Sequence, residues 1–171
     1  MAKFREIVPE ELNESAFRII GKDWILISAP DSTKESGINA MTASWGGIGV
    51  LWNKPVATVY VRPQRYTFDL CEETDRLSLC VLPEEYRTSL TFCGRNSGRD
   101  ADKLKTCALT SSEIDGVKFI EQSRLVFICK KAYADFLKKD NFVDTEHIKH
   151  YPTDDFHQMY ILEIEKILIK E

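Results

Sequence analysis

The chain has 171 residues, of which 43% are hydrophobic and 29% charged, and its formal net charge is −4. This length and composition predict one globular domain over residues 1–171 and exclude a largely disordered chain. The negative charge and the lack of long Lys/Arg runs argue against nucleic acid as a partner. The charged N-terminal segment predicts no secretory signal, and the apolar runs are too short to span a membrane, so we expect a cytoplasmic protein.

Short β-branched segments separated by turns predict a mainly β protein with flanking helices. The strands predicted in chain order cover residues 23–29, 38–46, 56–63, 77–83, 116–123, 123–134 and 157–169. Helices are predicted over residues 67–75, with Thr67 as the N-cap, over 84–94, ending at Gly94, and over 100–107. Strands at even spacing, interrupted by helices, favour a closed or split barrel over a parallel α/β sheet.

The cysteine and histidine patterns argue against a metal site. The chain has five cysteines, an odd number, and no CxxC pair, which also argues against a disulfide framework. His147 and His150 are three residues apart, but that spacing alone more often gives a solvated pair on one helix face than a ligand set. We therefore expect reduced thiols and no bound metal.

The segment NAMTASWGG, residues 39–47, combines small or hydroxylated side chains with one Met and one Trp. A strand here would divide its side chains between two faces, with Thr42 and Ser44 on one and Asn39, Met41, Ala43 and Trp45 on the other. The two glycines at its end permit close approach to the backbone. The pattern suits a flat heteroaromatic ligand, which needs hydrogen bonds along its edge and apolar cover on its faces. It also fits an ordinary amphipathic strand followed by a glycine turn.

Two basic segments are candidate anion sites. In RPQRYT, residues 62–67, two arginines precede a helix start, where free N–H groups and the helix dipole favour phosphate. In GRNSGRDADK, residues 94–103, glycines, a serine and basic side chains lie between two helices. The second segment lacks the P-loop spacing, so a nucleoside triphosphate is not indicated. Each segment also fits an exposed, charged turn. Together with the hydroxylated strand they describe a site for an anion joined to a planar ring, which fits flavin mononucleotide (FMN) as well as any other ligand.

The chain resembles the flavin reductase-like family of FMN-binding split barrels, and within it the flavoredoxin-like branch. The resemblance rests on the order and spacing of DWILISA, NAMTASW, KPVATVYVRPQRYT, FCGRNSGRDADKL and FHQMYILEIEKIL. It implies a Greek-key split barrel that forms a homodimer and binds FMN near the subunit interface.

The resemblance also implies the residues that bind the cofactor. The isoalloxazine ring would lie against Asn39, Met41, Thr42, Ala43, Ser44 and Trp45. The ribityl phosphate would be bound by Arg62, Gln64, Arg65, Tyr66 and Thr67. A loop that closes on the cofactor would contribute Ser97, Gly98, Arg99 and Lys103. His157 would lie towards the nicotinamide.

Three functions are compatible with this resemblance. The first is an NAD(P)H:flavin reductase, in which a hydride passes from NADH or NADPH to flavin N5. The second is a flavoredoxin-like carrier that accepts electrons from a redox protein partner, and the third is a flavin-binding module without turnover. Hydride transfer needs no protein nucleophile because the cofactor carries the difficult step, so no catalytic acid or base is assigned.

Overall fold

The computed structural model describes residues 3–171, so Met1 and Ala2 of the predicted domain lie outside the described residues. The strands are β1 (Phe4–Ile7), β2 (Ile25–Pro30), β3 (Ile38–Ala43), β4 (Gly46–Leu51), β5 (Lys54–Val61), β6 (Arg76–Val81), β7 (Ser111–Ile114), β8 (Val117–Ile120), β9 (Leu125–Phe136) and β10 (Gln158–Lys170). The helices are α1 (Ala16–Arg18), which continues as a wider turn over Ile19–Asp23, α2 (Tyr66–Glu73), α3 (Arg87–Arg95) and α4 (Lys103–Thr106). Single helical turns or short 3-10 segments cover Pro9–Glu11, Glu84–Tyr86, Lys139–Asn141 and Thr145–His150.

Eight of these strands form one antiparallel sheet. Its order is β3-β2-β6-β9-β10-β5-β4, with β1 paired to β10, while β7 and β8 form a separate hairpin. The strands β6, β9, β10 and β5 lie side by side, although β5 precedes β6 in the chain, and this arrangement is a Greek key. The mainly β class and the Greek-key topology predicted from the sequence are confirmed.

Two apolar clusters cover the two faces of the sheet. Because side chains alternate along a strand, Ile25 and Ile27 of β2 belong to the first cluster and Leu26 to the second. On β3, Met41 packs in the first cluster and Ala40 in the second. The strand that carries the hydroxylated segment is therefore held from both sides, which gives its end a fixed position.

All seven predicted strands are present, but the second is shorter than predicted. β3 ends at Ala43, and Ser44 and Trp45 form a link to β4, which begins at Gly46. At Gly46 the backbone runs so close to β5 that a Cβ atom would lie 2.4 Å from the Thr58 carbonyl oxygen. The chain therefore turns at this glycine to pair with β5, and the predicted strand alternation does not extend to Trp45.

The helix ends also differ from the prediction. Arg65, not Thr67, is the N-cap of α2, and Thr67 lies in the first turn. α3 continues one residue past Gly94, to Arg95. The third helix is reduced to the single turn of α4, because the Asp102 side chain caps it by accepting the Lys105 N–H at 3.1 Å.

All five cysteines are free thiols, and four of them are buried. Within residues 3–171, no helix has the length and apolar character needed to cross a membrane.

Candidate functional site

An open cleft of about 250 Å³ lies where the ends of β3 and β5 meet the start of β10. β5 and β10 are antiparallel partners with Val61 opposite Gln158, so the end of one strand lies beside the start of the other. The cleft is lined by Met41, Thr42, Ala43, Ser44, Trp45, Tyr60, Arg62, Arg65 and His157. The structure thus brings half of the predicted site residues together in one cleft, and Tyr60 is added to them.

The β3 segment gives the cleft a mixed polar and apolar wall. Met41 and Ala43 are buried, whereas Ser44 is exposed and Trp45 keeps 46% of its surface exposed at the rim. Thr42 donates its hydroxyl proton to the carbonyl of Leu90 at 2.5 Å and therefore offers only acceptor capacity to a ligand. The Ser44 hydroxyl has no hydrogen-bond partner among the described residues and remains available.

Aromatic rings form the opposite side of the cleft. The ring of His157 lies 5.2 Å from that of Trp45 and 6.4 Å from that of Tyr60, and His150 is 5.6 Å from Trp45. Such separations are typical of packed aromatic pairs. Sequence analysis missed Tyr60, whose strand position carries no distinguishing signal, and considered His150 only as a metal ligand.

His157 is buried in this aromatic group and is uncharged at neutral pH. Burial, and then the positive charge of Arg62, lower its pKa to about 4, although Asp155 opposes the shift. Its Nδ1 lies 2.9 Å from the Tyr151 hydroxyl. When that hydroxyl donates, Nδ1 accepts and Nε2 carries the ring proton, so the imidazole offers one neutral N–H donor.

Arg62 and Gln64 are occupied by the segment that connects β9 to β10. Arg62 forms an ion pair with Asp155 and donates to the His150 carbonyl oxygen at 2.8 Å. Gln64 Nε2 donates to the same Asp155 oxygen at 2.7 Å. These bonds hold the pKa of Asp155 at about 2. The Arg62 charge is therefore compensated within the protein.

Arg65 and Lys103, by contrast, bind only main-chain oxygens. Arg65 donates to the Gly94 carbonyl at 2.9 Å and to the Cys93 carbonyl at 3.4 Å. The buried Lys103 donates to the carbonyls of Ala40, at 2.7 Å, and Cys93, at 3.2 Å. Among the described residues no carboxylate lies within ion-pair distance of either cation. Burial lowers the pKa of Lys103 to about 8, and the nearby Arg65 charge acts in the same direction.

Four further predicted residues lie behind the cleft and support its wall. Asn39 Nδ2 donates to Thr67 Oγ1 at 2.9 Å, and both side chains are buried. A Cβ atom at Gly98 would lie 2.1 Å from Asn39 Oδ1 and 2.7 Å from Tyr66 Cδ1. Only a glycine at position 98 therefore lets the loop between α3 and α4, residues 96–102, lie against the start of α2.

The rest of that loop covers α2 from outside. The Arg99 guanidinium lies 5.2 Å from the centre of the Tyr66 ring and forms an ion pair with Asp69. Ser97 accepts the Arg99 N–H at 3.1 Å. Gly98 and Arg99 thus contact the helix that begins at the cleft, and Ser97 bonds to the backbone of Arg99, but none of the three lines the cleft in this chain alone.

Comparisons with known proteins support the family and the fold. Residues 18–171 match the family model described as the flavin reductase like domain. An FMN-binding domain of a flavin reductases-like enzyme from Shewanella baltica is 17% identical, with a TM-score of 0.67 over 99% of this chain and 78% of that one. A flavoredoxin from Methanosarcina acetivorans is 20% identical, with a TM-score of 0.65 over 87% and 69% of the two chains. The styrene monooxygenase flavin reductase of Pseudomonas putida is 13% identical, with a TM-score of 0.62 over 85% and 77%. Comparison with curated protein sequences gives no match.

The pKa of His157 predicts how stability depends on pH. Folding lowers this pKa from about 6.5 to about 4, so the unfolded chain takes up the proton first as the pH falls. The free energy of unfolding is therefore expected to decrease between pH 6.5 and pH 4. Denaturant unfolding at several pH values should show a shallower decrease for His157→Gln than for the wild type. The control His147→Gln, at an exposed histidine, should keep the wild-type slope, and equal slopes in all three proteins would contradict the assignment.

Proposed function

The chain belongs to the flavin reductase-like family, and on that premise we propose that it binds FMN and reduces it with NADH or NADPH. The observation that carries the proposal is the pair of uncompensated cations, Arg65 and Lys103, beside an aromatic-lined cleft. FMN has the matching form, because a planar ring system is joined to a phosphate dianion.

The donors and acceptors of the cleft fit FMN. Its volume of about 250 Å³ is just below the range for small-molecule sites, about 300–1,000 Å³, so it accommodates the ring rather than the whole cofactor. The ring would lie against residues 41–45, with the Ser44 hydroxyl available to its polar edge. The tail would then extend past Arg65 towards Lys103.

The phosphate would be held by charge and by backbone N–H groups together. Arg65 and Lys103 supply the charge, and the first turn of α2, at Tyr66 and Thr67, supplies N–H groups that have no helical acceptor. Asn39, Gly98 and Arg99 keep that turn in place through the contacts described above. For Arg62 and Gln64 we propose another role than phosphate binding, because both donate to Asp155 and so secure the β9–β10 connection beside the ring.

Bound FMN would supply the redox chemistry by accepting a hydride from the nicotinamide at N5. The chain's own residues would orient the ring, and the open side of the cleft would leave the ring accessible to a nicotinamide. His157, neutral and fixed by Tyr151, offers an N–H at the Trp45 end of the cleft and would donate it to the carboxamide oxygen of a nicotinamide bound there. No side chain is needed as a nucleophile or a general base.

A flavoredoxin-like carrier is the second candidate function. The cleft is open, and Trp45 is 46% exposed at its rim, so a redox protein could approach the flavin edge. The similarity to the Methanosarcina acetivorans flavoredoxin favours the same candidate. A flavin-binding module without turnover would need the same contacts with FMN and differ in its response to nicotinamide.

We also propose that the chain forms a homodimer through β4. This strand lies at one end of the sheet, and its outer edge is unpaired within the described residues. It exposes 77% of Val50, and the exposed Trp52 follows it in the turn to β5. α1 lies against β4 and adds the exposed ring of Phe17. An apolar edge of this kind is typical of an interface between copies of a protein.

The phosphate assignment predicts a large effect of one arginine. Arg65→Ala should weaken FMN binding by about 1.5–3 kcal/mol, the usual contribution of hydrogen bonds to a charged group. That is about a tenfold to hundredfold rise in Kd, measurable by the quenching of flavin fluorescence. The Kd of Arg65→Lys for FMN should lie between those of the wild type and Arg65→Ala, since lysine keeps the charge but loses the bidentate geometry. Arg5→Ala, at an exposed position on β1, is the control, and an unchanged Kd for Arg65→Ala would disprove this placement of the phosphate.

The reductase assignment predicts a direct reaction with nicotinamide. Under anaerobic conditions, NADH or NADPH should bleach the absorbance of the FMN-loaded protein as completely as dithionite does. Free FMN at the same concentration is the control for uncatalysed reduction. Bleaching by dithionite but not by either nicotinamide would reject the reductase in favour of a carrier or a binding module.

The proposed dimer predicts that a charged side chain placed in β4 lowers the mass of the sedimenting species from that of a dimer towards that of a monomer. Sedimentation equilibrium should give about twice the 19.7 kDa chain mass for the wild type. Val50→Glu should sediment closer to a monomer, because it places a carboxylate in the proposed interface. Val143→Glu, at a fully exposed valine outside the sheet, is the matched control. A monomeric wild type would refute the interface.

A further inference from the structure

A second cavity, of about 260 Å³, adjoins the cleft at the end of β3. Thr42 and Ser44 line both of them, so the two are contiguous. The other lining residues come from the position before β2 and from α3, and they are Trp24, Leu90, Thr91, Gly94 and Arg95. None of the lining residues carries a carboxylate, and the proposed function assigns this cavity no ligand.

The aromatic ring of this cavity is held by a strained backbone. Trp24 has φ 67° and ψ 158°, a region that is essentially confined to glycine because of contacts with the Cβ atom. The wider turn that precedes it, Ile19–Asp23, is a π-helix, a rare form that is frequent at functional sites. Such strain persists only where the surrounding structure enforces it, so the fold is committed to placing this indole beside α3.

Arg87, the first residue of α3, fixes the position of the indole. Its guanidinium carbon lies 4.4 Å from the centre of the Trp24 ring. The guanidinium itself is anchored by the Glu84 carboxylate, at 3.0 Å, and by the Lys22 carbonyl oxygen, at 2.9 Å. The indole is half-buried and therefore fixed but accessible, as an aromatic platform for stacking a nucleotide base must be.

The hydroxyl groups of the cavity present mainly acceptors. Thr91 donates its proton to the Arg87 carbonyl at 3.0 Å, as Thr42 does to the Leu90 carbonyl. Each oxygen therefore keeps only its lone pairs for a ligand, whereas the Ser44 hydroxyl is free to donate or accept. The amino group on the edge of adenine is a donor that matches these acceptors.

Arg95 supplies an uncompensated cation at this cavity. It is exposed, and within residues 3–171 its guanidinium has neither an ion pair nor a hydrogen bond. The carbonyls of Cys93 and Gly94, near the end of α3, carry partial negative charge that would repel an anion. Arg65 and Lys103 already donate to these carbonyls, which offsets the repulsion. A phosphate that reaches the free guanidinium therefore gains a charged, bidentate donor.

We propose that the second cavity binds the adenosine phosphate half of the nicotinamide dinucleotide, with adenine on Trp24 and a phosphate on Arg95. This rests on the proposed function, in which the nicotinamide meets the flavin in the adjoining cleft. Because Thr42 and Ser44 line both cavities, one dinucleotide can occupy the two together. NADPH differs from NADH by a 2′-phosphate on this half, so Arg95 is the residue that can distinguish them.

Titration with nucleotide fragments tests the cavity without any flavin. Isothermal titration of the full chain uses 5′-AMP and 2′,5′-ADP, and both should bind. Arg95→Ala should bind the fragment whose phosphate it contacts about ten to a hundred times more weakly. A loss for both fragments assigns Arg95 to the 5′-phosphate, and a loss for 2′,5′-ADP alone assigns it to the 2′-phosphate and predicts a preference for NADPH. Arg5→Ala, at an exposed arginine on β1, is the matched control and should bind both as the wild type does.

Two results of this titration would overturn the proposal. One is that neither fragment binds the wild type, and the other is that Arg95→Ala binds both with unchanged Kd. Trp24→Leu tests the ring separately and should bind neither fragment while still unfolding cooperatively in denaturant. Unchanged binding by that variant would remove adenine from the cavity, and if the variant does not fold, Arg95→Ala decides alone.

Steady-state kinetics of the FMN-loaded chain test the link to the cleft. Arg95→Ala should raise KM for the nicotinamide by the same factor and lower kcat far less, since it removes binding common to the ground and transition states. Its Kd for FMN should equal that of the wild type. A weaker affinity for FMN, or an affinity for FAD that exceeds that for FMN only while Arg95 is present, would give the cavity to the flavin and overturn the proposal. If neither NADH nor NADPH reduces the loaded chain, the proposed reductase fails, and the fragment titration still decides whether the cavity binds an adenosine phosphate.

Discussion

The carbonyl oxygen of Cys93 accepts hydrogen bonds from both Arg65 and Lys103, and this shared acceptor fixes the charge of the site. Carbonyls at the end of a helix lack helical partners and carry partial negative charge, so they hold two cations without a carboxylate. The arrangement is costly, since burial lowers the pKa of Lys103 to about 8. A phosphate dianion placed between the two cations would relieve that cost, and for this reason we propose the junction of α2, α3 and α4 as the anion site.

The other end of the cleft carries no net charge. Asp155 neutralises Arg62, and His157 is an uncharged imidazole among aromatic rings. In the proposed complex, the uncharged end of the cleft therefore suits the planar ring of FMN, and the cationic end suits its phosphate. A reductase and a carrier would hold the flavin in the same way. They differ in what approaches the open side near Trp45, so the contacts with the cofactor do not distinguish them.

Local patterns in the sequence predicted the seven β-branched strands, because alternation and turn residues report directly on strand formation. They missed β4, whose glycines at 46, 47 and 49 weaken the strand signal although pairing with β5 stabilises it. The cleft segment at the end of β3 was predicted, since its short polar side chains are contiguous. In the sequence, Arg62 and Arg65 are equivalent candidates for binding a phosphate, since both precede the same helix. Only tertiary contacts separate them, because Asp155, the partner of Arg62, is 93 residues away in the chain.

The most direct test of the anion site is a comparison of FMN with riboflavin, which has the same ring and no phosphate. Isothermal titration of the purified protein at low ionic strength gives the two dissociation constants. If Arg65 and Lys103 bind the phosphate, FMN should bind about ten to a hundred times more tightly than riboflavin. Equal affinities for the two flavins would contradict the account, because the cations would then contribute nothing to recognition.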